Sequence, residues 1–300
     1  MADAIETHGL TRRFGRRLAV DGLTLSVPAG SVFALIGPNG AGKTTAIKLL
    51  LNLIRPTAGV ARVLGRDTRR LGPAELARIG YVSEGQELPE WLAPEAMLRY
   101  LKPFYPAWDD SLCRRLQAVL GLSAREPIRA LSRGTRVNAA LLASLAYHPE
   151  LVILDEPFSG LDPLVRDELI RALLELAGER PHTILISSHD IAEVERLADW
   201  LGFLDGGRLL LAERVDSLLA RFRRVEVTLD GPSALPVMDR WLFEGVAGRI
   251  VRFIDTDHAA PDAAARIAAV FPGAAVNTSP LSLREIFVAL ARRAAGKEAA

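Results

Sequence analysis

The chain has 300 residues, of which 49% are hydrophobic and 24% charged, a composition typical of a globular protein with one large domain and a smaller one. Its formal net charge of +1 argues against a nucleic-acid partner, and its single cysteine, Cys113, excludes an internal disulfide and fits a reducing cytosol. No apolar run reaches the roughly 20 residues of a membrane helix, so action at a membrane would require another chain.

The first part of the chain predicts strands followed by a helix. Residues 12–30 form short extended segments that suit a small antiparallel sheet. The continuous apolar run at residues 31–36 predicts a strand that is buried on both faces. Apolar residues then recur at helical spacing over residues 43–53.

A glycine-rich loop joins this strand to this helix and fits the pattern G-x-x-x-x-G-K-[ST]. Its glycines let backbone N–H groups point at phosphate oxygens, and the helix amino terminus adds partial positive charge. Lys43 supplies a full charge, and Thr44 offers a hydroxyl to Mg²⁺. The alternative, a turn with a solvated lysine, is disfavoured by the flanking strand and helix. The predicted nucleotide-binding residues of the loop are Gly37, Pro38, Asn39, Gly40, Ala41, Gly42, Lys43, Thr44 and Thr45.

The middle of the chain predicts a helical insert within an α/β sheet. Residues 79–82 form a strand, and helical periodicity follows at residues 94–105, 109–120 and 135–147, so we place the insert at about residues 85–150. Two further buried strands, residues 151–154 and 183–187, flank a helix at residues 164–176. This alternation indicates a mostly parallel sheet.

Titratable side chains follow these last two strands. Asp155 and Glu156 come directly after the first, at the sheet edge where open α/β sheets hold ligands. We predict that Asp155 serves Mg²⁺ and that Glu156 orients or deprotonates the attacking water. His189 follows the second strand. The alternatives are a surface acidic pair and a capping or packing histidine.

The last part of the chain predicts a small α+β extension. A hairpin at residues 203–211 and a helical connector at 217–223 lead to a boundary near residue 220. The domains are therefore residues 1–220 and 221–300. In the second, strands are predicted at 224–229 and 249–254, a helix at 263–270, and a final helix at Ser282, with Glu285 completing a capping box.

In their order, these motifs resemble the ATP-binding subunits of ABC transporters over roughly residues 5–215. The resemblance implies a P-loop NTPase fold with an N-terminal antiparallel β subdomain. Phe14 resembles the aromatic residue that stacks on adenine, and His189 resembles the family's switch histidine. Residues 131–135, Leu-Ser-Arg-Gly-Thr, take the place of the signature LSGGQ, in which Ser132 and Gly134 would meet the γ-phosphate held by a partner. Residues 159–162 look like the family's D-loop.

The chain departs from the family pattern at two places. Glu84 lies where the family usually has glutamine; it could give Mg²⁺ an oxygen but brings negative charge near phosphates. Arg133 and Thr135 replace the signature glycine and glutamine, and the Arg133 guanidinium could favour phosphate. These changes bear on the rate of hydrolysis more than on nucleotide binding.

The resemblance implies an ATPase that uses ATP and Mg²⁺ and works as a homodimer or beside a paired ATP-binding subunit. It would lie on the cytoplasmic face of a membrane, held by an integral membrane permease, and the segment ending at Phe287 resembles exporter ATPases. One alternative is a soluble ABC-type ATPase acting on DNA or the ribosome; the stretch between Lys43 and Ser132 lacks the heptads of such repair proteins. The other is a nucleotide-gated module without catalysis, which Lys43, Asp155, Glu156 and His189 oppose.

Overall fold

The computed structural model describes residues 3–123, 125–179, 182–229, 238, 240–294 and 296. The chain divides into two compact units, Met1–Ala212 and Glu213–Ala300, whereas the sequence pattern places the boundary near residue 220. In chain order the elements are β1 (Asp3–Phe14), β2 (Arg17–Pro28), β3 (Val32–Ile36), α1 (Lys43–Leu50), β4 (Ala58–Val63), β5 (Arg66–Asp67), α2 (Pro73–Leu76), β6 (Ile79–Val82), α3 (Pro94–Leu101), α4 (Asp110–Val119), α5 (Arg133–Leu145), β7 (Leu151–Asp155), α6 (Pro163–Glu179), β8 (Thr183–Ser188), α7 (Ile191–Val194), β9 (Trp200–Asp205), β10 (Arg208–Arg214), α8 (Val215–Arg221), β11 (Arg223–Thr228), β12 (Trp241–Ala247), β13 (Ile250–Asp255), α9 (Ala263–Val270), β14 (Ala275–Pro280) and α10 (Leu283–Ala294).

A six-stranded sheet with the order β10-β9-β3-β8-β7-β6 forms the centre of the first unit. Strands β9, β3, β8, β7 and β6 run parallel to one another. Every residue of β3, β7 and β8 is buried, as their unbroken apolar sequences predict. Because these three strands are parallel and adjacent, their carboxyl ends bring three separate sequence motifs to one sheet edge.

A second sheet of the first unit has the order β2-β1-β4-β5, with antiparallel pairing throughout. It confirms the predicted N-terminal antiparallel sheet but is larger than the pattern at residues 12–30 indicates. Strand β1 already begins at Asp3, and β4 is mostly exposed, so it carries little of the apolar alternation that predicts a strand.

The helices of the insert differ from the predicted ranges at their ends. Helix α3 stops at Leu101 and continues as a 3-10 turn, Lys102–Phe104, because Pro103 cannot donate an α-helical hydrogen bond. Helix α1 stops at Leu50, shortly before Asn52, which has a left-handed φ of 56°. Among the described residues, no helix combines the length and apolarity that crossing a bilayer requires.

The second unit contains an antiparallel sheet with the order β12-β13-β11-β14. One core cluster combines Val225, Trp241 and Phe253 of this sheet with Ile267 of α9. Helix α10 begins after Ser282, whose N–H donates to Glu285 Oε2 at 2.8 Å while Ser282 Oγ accepts from Glu285 N at 3.3 Å. The predicted capping box is therefore confirmed.

Candidate functional site

The glycine-rich loop follows the carboxyl end of β3 and wraps onto the start of α1. Its backbone passes so close to other strands that side chains do not fit. A Cβ on Gly37 would lie 2.1 Å from the Leu204 carbonyl oxygen, and one on Gly42 would lie 2.3 Å from the Ala19 carbonyl oxygen. Gly42 also has a φ of 108°, which L side chains rarely adopt. These contacts explain why the loop needs glycine at both positions.

Lys43 is only 5% exposed and holds the loop closed. Its Nζ donates to the Gly37 carbonyl oxygen at 2.7 Å and to the Pro38 carbonyl oxygen at 3.3 Å. The same Nζ lies 3.0 Å from Glu156 Oε1. Since an ammonium has three N–H donors, these contacts account for all of them.

Asp155 ends β7 and is 1% exposed. Its Oδ1 accepts from Thr44 Oγ1 at 3.1 Å and from Ser187 Oγ at 2.6 Å. Burial raises the pKa of Asp155, and the negative charges of Glu156 and Glu84 act in the same direction. A cation beside these carboxylates would relieve that penalty, so the donor set of Thr44, Asp155 and Glu84 fits Mg²⁺.

Glu156 lies between two positively chargeable groups. Its carboxylate contacts Lys43 on one side, and its Oε2 lies 2.7 Å from His189 Nδ1 on the other. This hydrogen bond to Glu156 raises the pKa of His189. The Glu156 backbone has a φ of 51°, and its N–H donates to Ser187 Oγ at 3.0 Å. The arrangement holds one carboxylate in a fixed place beside the loop.

An open pocket of about 590 Å³ lies over the loop. Of the predicted residues, it is lined by Phe14, residues 39–45, Glu84 and Glu156. Gly37 and Pro38 do not line the pocket, but their carbonyl oxygens accept from Lys43 Nζ. Asp155 and His189 do not line it either; Asp155 contacts Thr44, and His189 contacts Glu156. Phe14 is 46% exposed, and the Arg12 guanidinium lies 4.4 Å from its ring centroid, so one ring face is covered.

Three residues around this pocket were missed by the sequence reasoning. Arg17 lines it and lies close to the Gly40 carbonyl oxygen, Arg12 covers Phe14, and Ser187 bridges Asp155 and the Glu156 backbone. The basic residues on both sides of Phe14 were a signal for the two arginines. The role of Ser187 depends on the register between β7 and β8, which no local pattern reveals.

The residues of the signature-like segment lie away from this pocket. Ser132 caps α5: its Oγ accepts from Thr135 N at 3.2 Å and lies 2.8 Å from Thr135 Oγ1. Gly134 is buried against Val165, where a Cβ would be 2.9 Å from Val165 Cγ1. Arg133 lies over Gly160, whose φ is +68°. Neither Ser132 nor Gly134 lines the pocket over the glycine-rich loop.

Glu84 lies between this pocket and a neighbouring one. The neighbouring pocket, of about 800 Å³, is also lined by Arg133, Glu156 and Ser159. Glu84 Oε1 accepts from Ser159 Oγ at 3.3 Å. Gln86, the glutamine closest to the family position, uses its Oε1 to accept from Ser83 N at 3.1 Å. Glu84, and not Gln86, therefore faces the loop.

A protein-family model and similar known proteins both relate this chain to the ATP-binding proteins of ABC transporters. Residues 20–159 match the family model described as "ABC transporter". The lantibiotic transport ATP-binding protein SrtF of Streptococcus pyogenes is 34% identical over 213 residues, covering 71% of this chain and 91% of that protein. The bacitracin transport ATP-binding protein BcrA of Bacillus licheniformis is 34% identical over 226 residues, covering 75% of this chain and 74% of that protein.

Solved structures share the fold over about 70% of the chain. A structure of an ATP-binding subunit of an ABC transporter has a TM-score of 0.65 and 27% identity, covering 72% of this chain and 91% of that one. The dimeric post-hydrolysis structure of the ATP-binding cassette MJ0796, bound to ADP and Pi, has a TM-score of 0.63 and 21% identity. It covers 70% of this chain and 98% of that one.

Proposed function

We propose, since this chain belongs to the ABC transporter family of ATP-binding, ATP-hydrolysing subunits, that it binds MgATP at the glycine-rich loop and uses hydrolysis to drive export through a separate permease. The observation that carries the proposal is the position of Glu156. Its carboxylate lies 3.0 Å from Lys43 Nζ and 2.7 Å from His189 Nδ1, at the edge of the pocket over the loop.

Binding of the triphosphate requires an exchange of partners at Lys43. The ammonium already uses its three donors on Gly37, Pro38 and Glu156. Phosphate oxygens carry more charge than backbone carbonyls, and they are approached by the N–H groups of the loop and the α1 amino terminus. We therefore infer that the β- and γ-phosphates take over the Lys43 contact with Glu156 and leave that carboxylate free to face water.

The freed Glu156 carboxylate serves as the general base. A water oxygen forms a bond to the γ-phosphorus, the bond from that phosphorus to the β–γ bridging oxygen breaks, and a water proton passes to Glu156. ADP leaves with the electron pair of the broken bond. His189 holds Glu156 in place through the 2.7 Å contact. Mg²⁺, held by Thr44, Asp155 and Glu84, would offset the charge of the β- and γ-phosphates.

The base of the nucleotide fits Phe14. Its ring is 46% exposed at the pocket wall, and Arg12 already lies over one face. Adenine can therefore stack only on the opposite face unless Arg12 moves. Arg12 then stabilises the stack from behind through a cation–π contact.

A second ATP-binding subunit, most simply another copy of this chain, completes the site. Ser132 and Gly134 are supported as γ-phosphate ligands by their place at the amino end of α5, yet they do not line the pocket of their own chain. The paired subunits would associate with the cytoplasmic face of a membrane through a permease. The relatives' names, which specify lantibiotic and bacitracin transport, daunorubicin resistance and Nod factor export, support the export direction.

Glu156→Gln tests this mechanism because glutamine keeps the shape but cannot accept the proton. We expect phosphate release from MgATP to fall at least about a hundredfold, the usual contribution of a general base. The affinity for MgATP, measured by titration calorimetry, should not weaken by more than about threefold, because the glycine-rich backbone is unchanged and a neutral amide competes less with the phosphates for Lys43.

Glu95→Gln is the matched control, since Glu95 is an exposed glutamate in a surface ion pair with Arg99. It should hydrolyse ATP at the wild-type rate. Unchanged turnover in Glu156→Gln would remove Glu156 from the chemistry, and absence of any magnesium-dependent ATP affinity in the wild type would overturn the proposed function as a whole.

A further inference from the structure

The second unit contains a pocket to which the ATPase mechanism assigns no role. Its volume is about 490 Å³, within the range of small-molecule sites. Helix α10 forms one wall, and residues of β11, β12 and β13 form the other. All of its lining residues belong to Glu213–Ala300, so the pocket is complete within this unit.

The floor of this pocket is apolar. Leu242 and Ile254 come from adjacent sheet strands, and Val288 and Ala289 come from α10. Val288 is 39% exposed, whereas Leu283 and Ile286 of the same helix are buried. Leu242 and Ile254 are buried, so the exposed apolar surface of the pocket belongs to α10. Exposed apolar surface with charged residues around it is typical of a binding site.

Both acidic residues of the pocket are hydrogen-bonded to the same arginine, Arg224. Arg224 Nε and Nη2 donate to the two Glu244 carboxylate oxygens at 2.8 and 3.1 Å, and Nη2 also donates to Glu285 Oε1 at 3.0 Å. These hydrogen bonds raise the pKa of Arg224, Glu244 making the largest contribution. Arg224 therefore offsets one of the two negative charges, and its N–H groups occupy three of the four glutamate oxygens that a ligand cation would otherwise contact.

Two more arginines of the pocket have free charges. Arg284 and Arg292 lie on α10 one turn before and one turn after Val288, and both are exposed. Neither forms an ion pair within the part of the chain that the structure describes. With three arginines against two glutamates, the lining has a net positive charge.

We propose that this pocket binds a small amphipathic carboxylate. Its apolar chain lies against Val288 and Ala289 of α10, and its carboxylate accepts hydrogen bonds from Arg284 or Arg292, whose planar guanidinium matches a carboxylate. A cationic amphiphile fits less well, because both glutamates are hydrogen-bonded to Arg224 and the lining as a whole has three positive charges against two negative ones.

Titration calorimetry of the full chain without ATP tests this inference independently of the ATPase. The probes are octanoate, octanol and octyltrimethylammonium, which share an eight-carbon chain and differ in charge. We expect one octanoate per chain, bound at least about tenfold more tightly than either other probe, which corresponds to about 1.4 kcal/mol. Equal or tighter binding of octyltrimethylammonium, or no octanoate binding, would overturn the proposal.

Variants locate the binding. Combined Arg284→Gln and Arg292→Gln should weaken octanoate at least about tenfold, and Ala289→Trp, which fills the pocket, should abolish binding. Arg240→Gln is the control, because Arg240 is an exposed arginine of the same unit that pairs with Asp257 and does not line the pocket. Exposed arginines can be changed without unfolding the protein, so undiminished binding in the double variant contradicts the assignment even if Ala289→Trp fails to fold.

Discussion

Glu156 shows how the site fixes one side chain. A non-glycine residue with a φ of 51° carries strain of about 1–3 kcal/mol, which persists only where the surroundings impose it. Here the backbone N–H of Glu156 donates to Ser187, while its carboxylate is held by Lys43 and His189. The strained backbone therefore orients the carboxylate before any nucleotide binds, which under the proposed mechanism reduces the reorganisation needed for proton transfer.

Glu84→Gln tests Glu84, which lies where the family usually has glutamine. Glutamine keeps an oxygen that can accept from Ser159 Oγ and serve a cation, while it removes a negative charge that raises the pKa of Asp155. We expect MgATP hydrolysis to stay within about threefold of the wild-type rate, because one of several cation contacts changes only in charge. Phosphate release measures this.

Glu84→Ala is the companion variant, since it removes the oxygen as well. A loss of hydrolysis in Glu84→Gln as large as that in Glu84→Ala would show that the carboxylate itself is required, and that the negative charge near the phosphates has a function.

At the scale of the elements, the sequence predicted the parts of the site that local patterns encode. The buried strands ending at Ile36, Asp155 and Ser188 are continuous apolar runs, and the loop is a contiguous motif. Strand β14 was missed because its residues are mostly exposed and show no alternation. Contacts between distant segments, such as those of Ser187 Oγ with Asp155 and with the Glu156 backbone, were missed because they depend on strand pairing and not on spacing along the chain.

Helix α7 contributes a buried carboxylate whose contacts also could not be predicted from local sequence patterns. Glu193 is 4% exposed, and its Oε2 accepts from Ser188 Oγ at 2.5 Å. Its Oε1 lies 3.5 Å from Arg166 of α6. Ser188 precedes His189, and its carbonyl oxygen accepts from Gly37 N at 3.3 Å. Glu193 thus links α6 to the strand end bearing His189, and we expect it to act as a positioning residue.

We expect Glu193→Ala to lower kcat about tenfold with a smaller change in KM, because His189 loses its support while the loop itself is intact. Glu193→Gln should recover most of kcat, since its amide oxygen can accept from Ser188 Oγ. Glu195→Ala, an exposed change in the same segment, is the control. Equal losses in kcat for the alanine and glutamine variants would contradict a hydrogen-bonded positioning role.

At the scale of the whole molecule, the separation of Ser132 from its own phosphate pocket has a consequence for assembly. If Ser132 acts on ATP held by another copy, two inactive variants can complement each other. Glu156→Gln lacks the base but keeps Ser132. Ser132→Asp keeps the base and a good helix cap, but it places a negative charge against phosphate. In a mixed dimer, one of the two composite sites is intact.

Mixing equal amounts of these variants should restore about a quarter of the wild-type rate of phosphate release, because half of randomly formed dimers are mixed and each has one working site. The recovery should rise with protein concentration, as expected for association. If Ser132 acted within its own chain, the mixture would be no more active than the sum of its components. Since Asp at position 132 preserves the cap of α5, a loss of activity in that variant reflects the phosphate contact and not the helix.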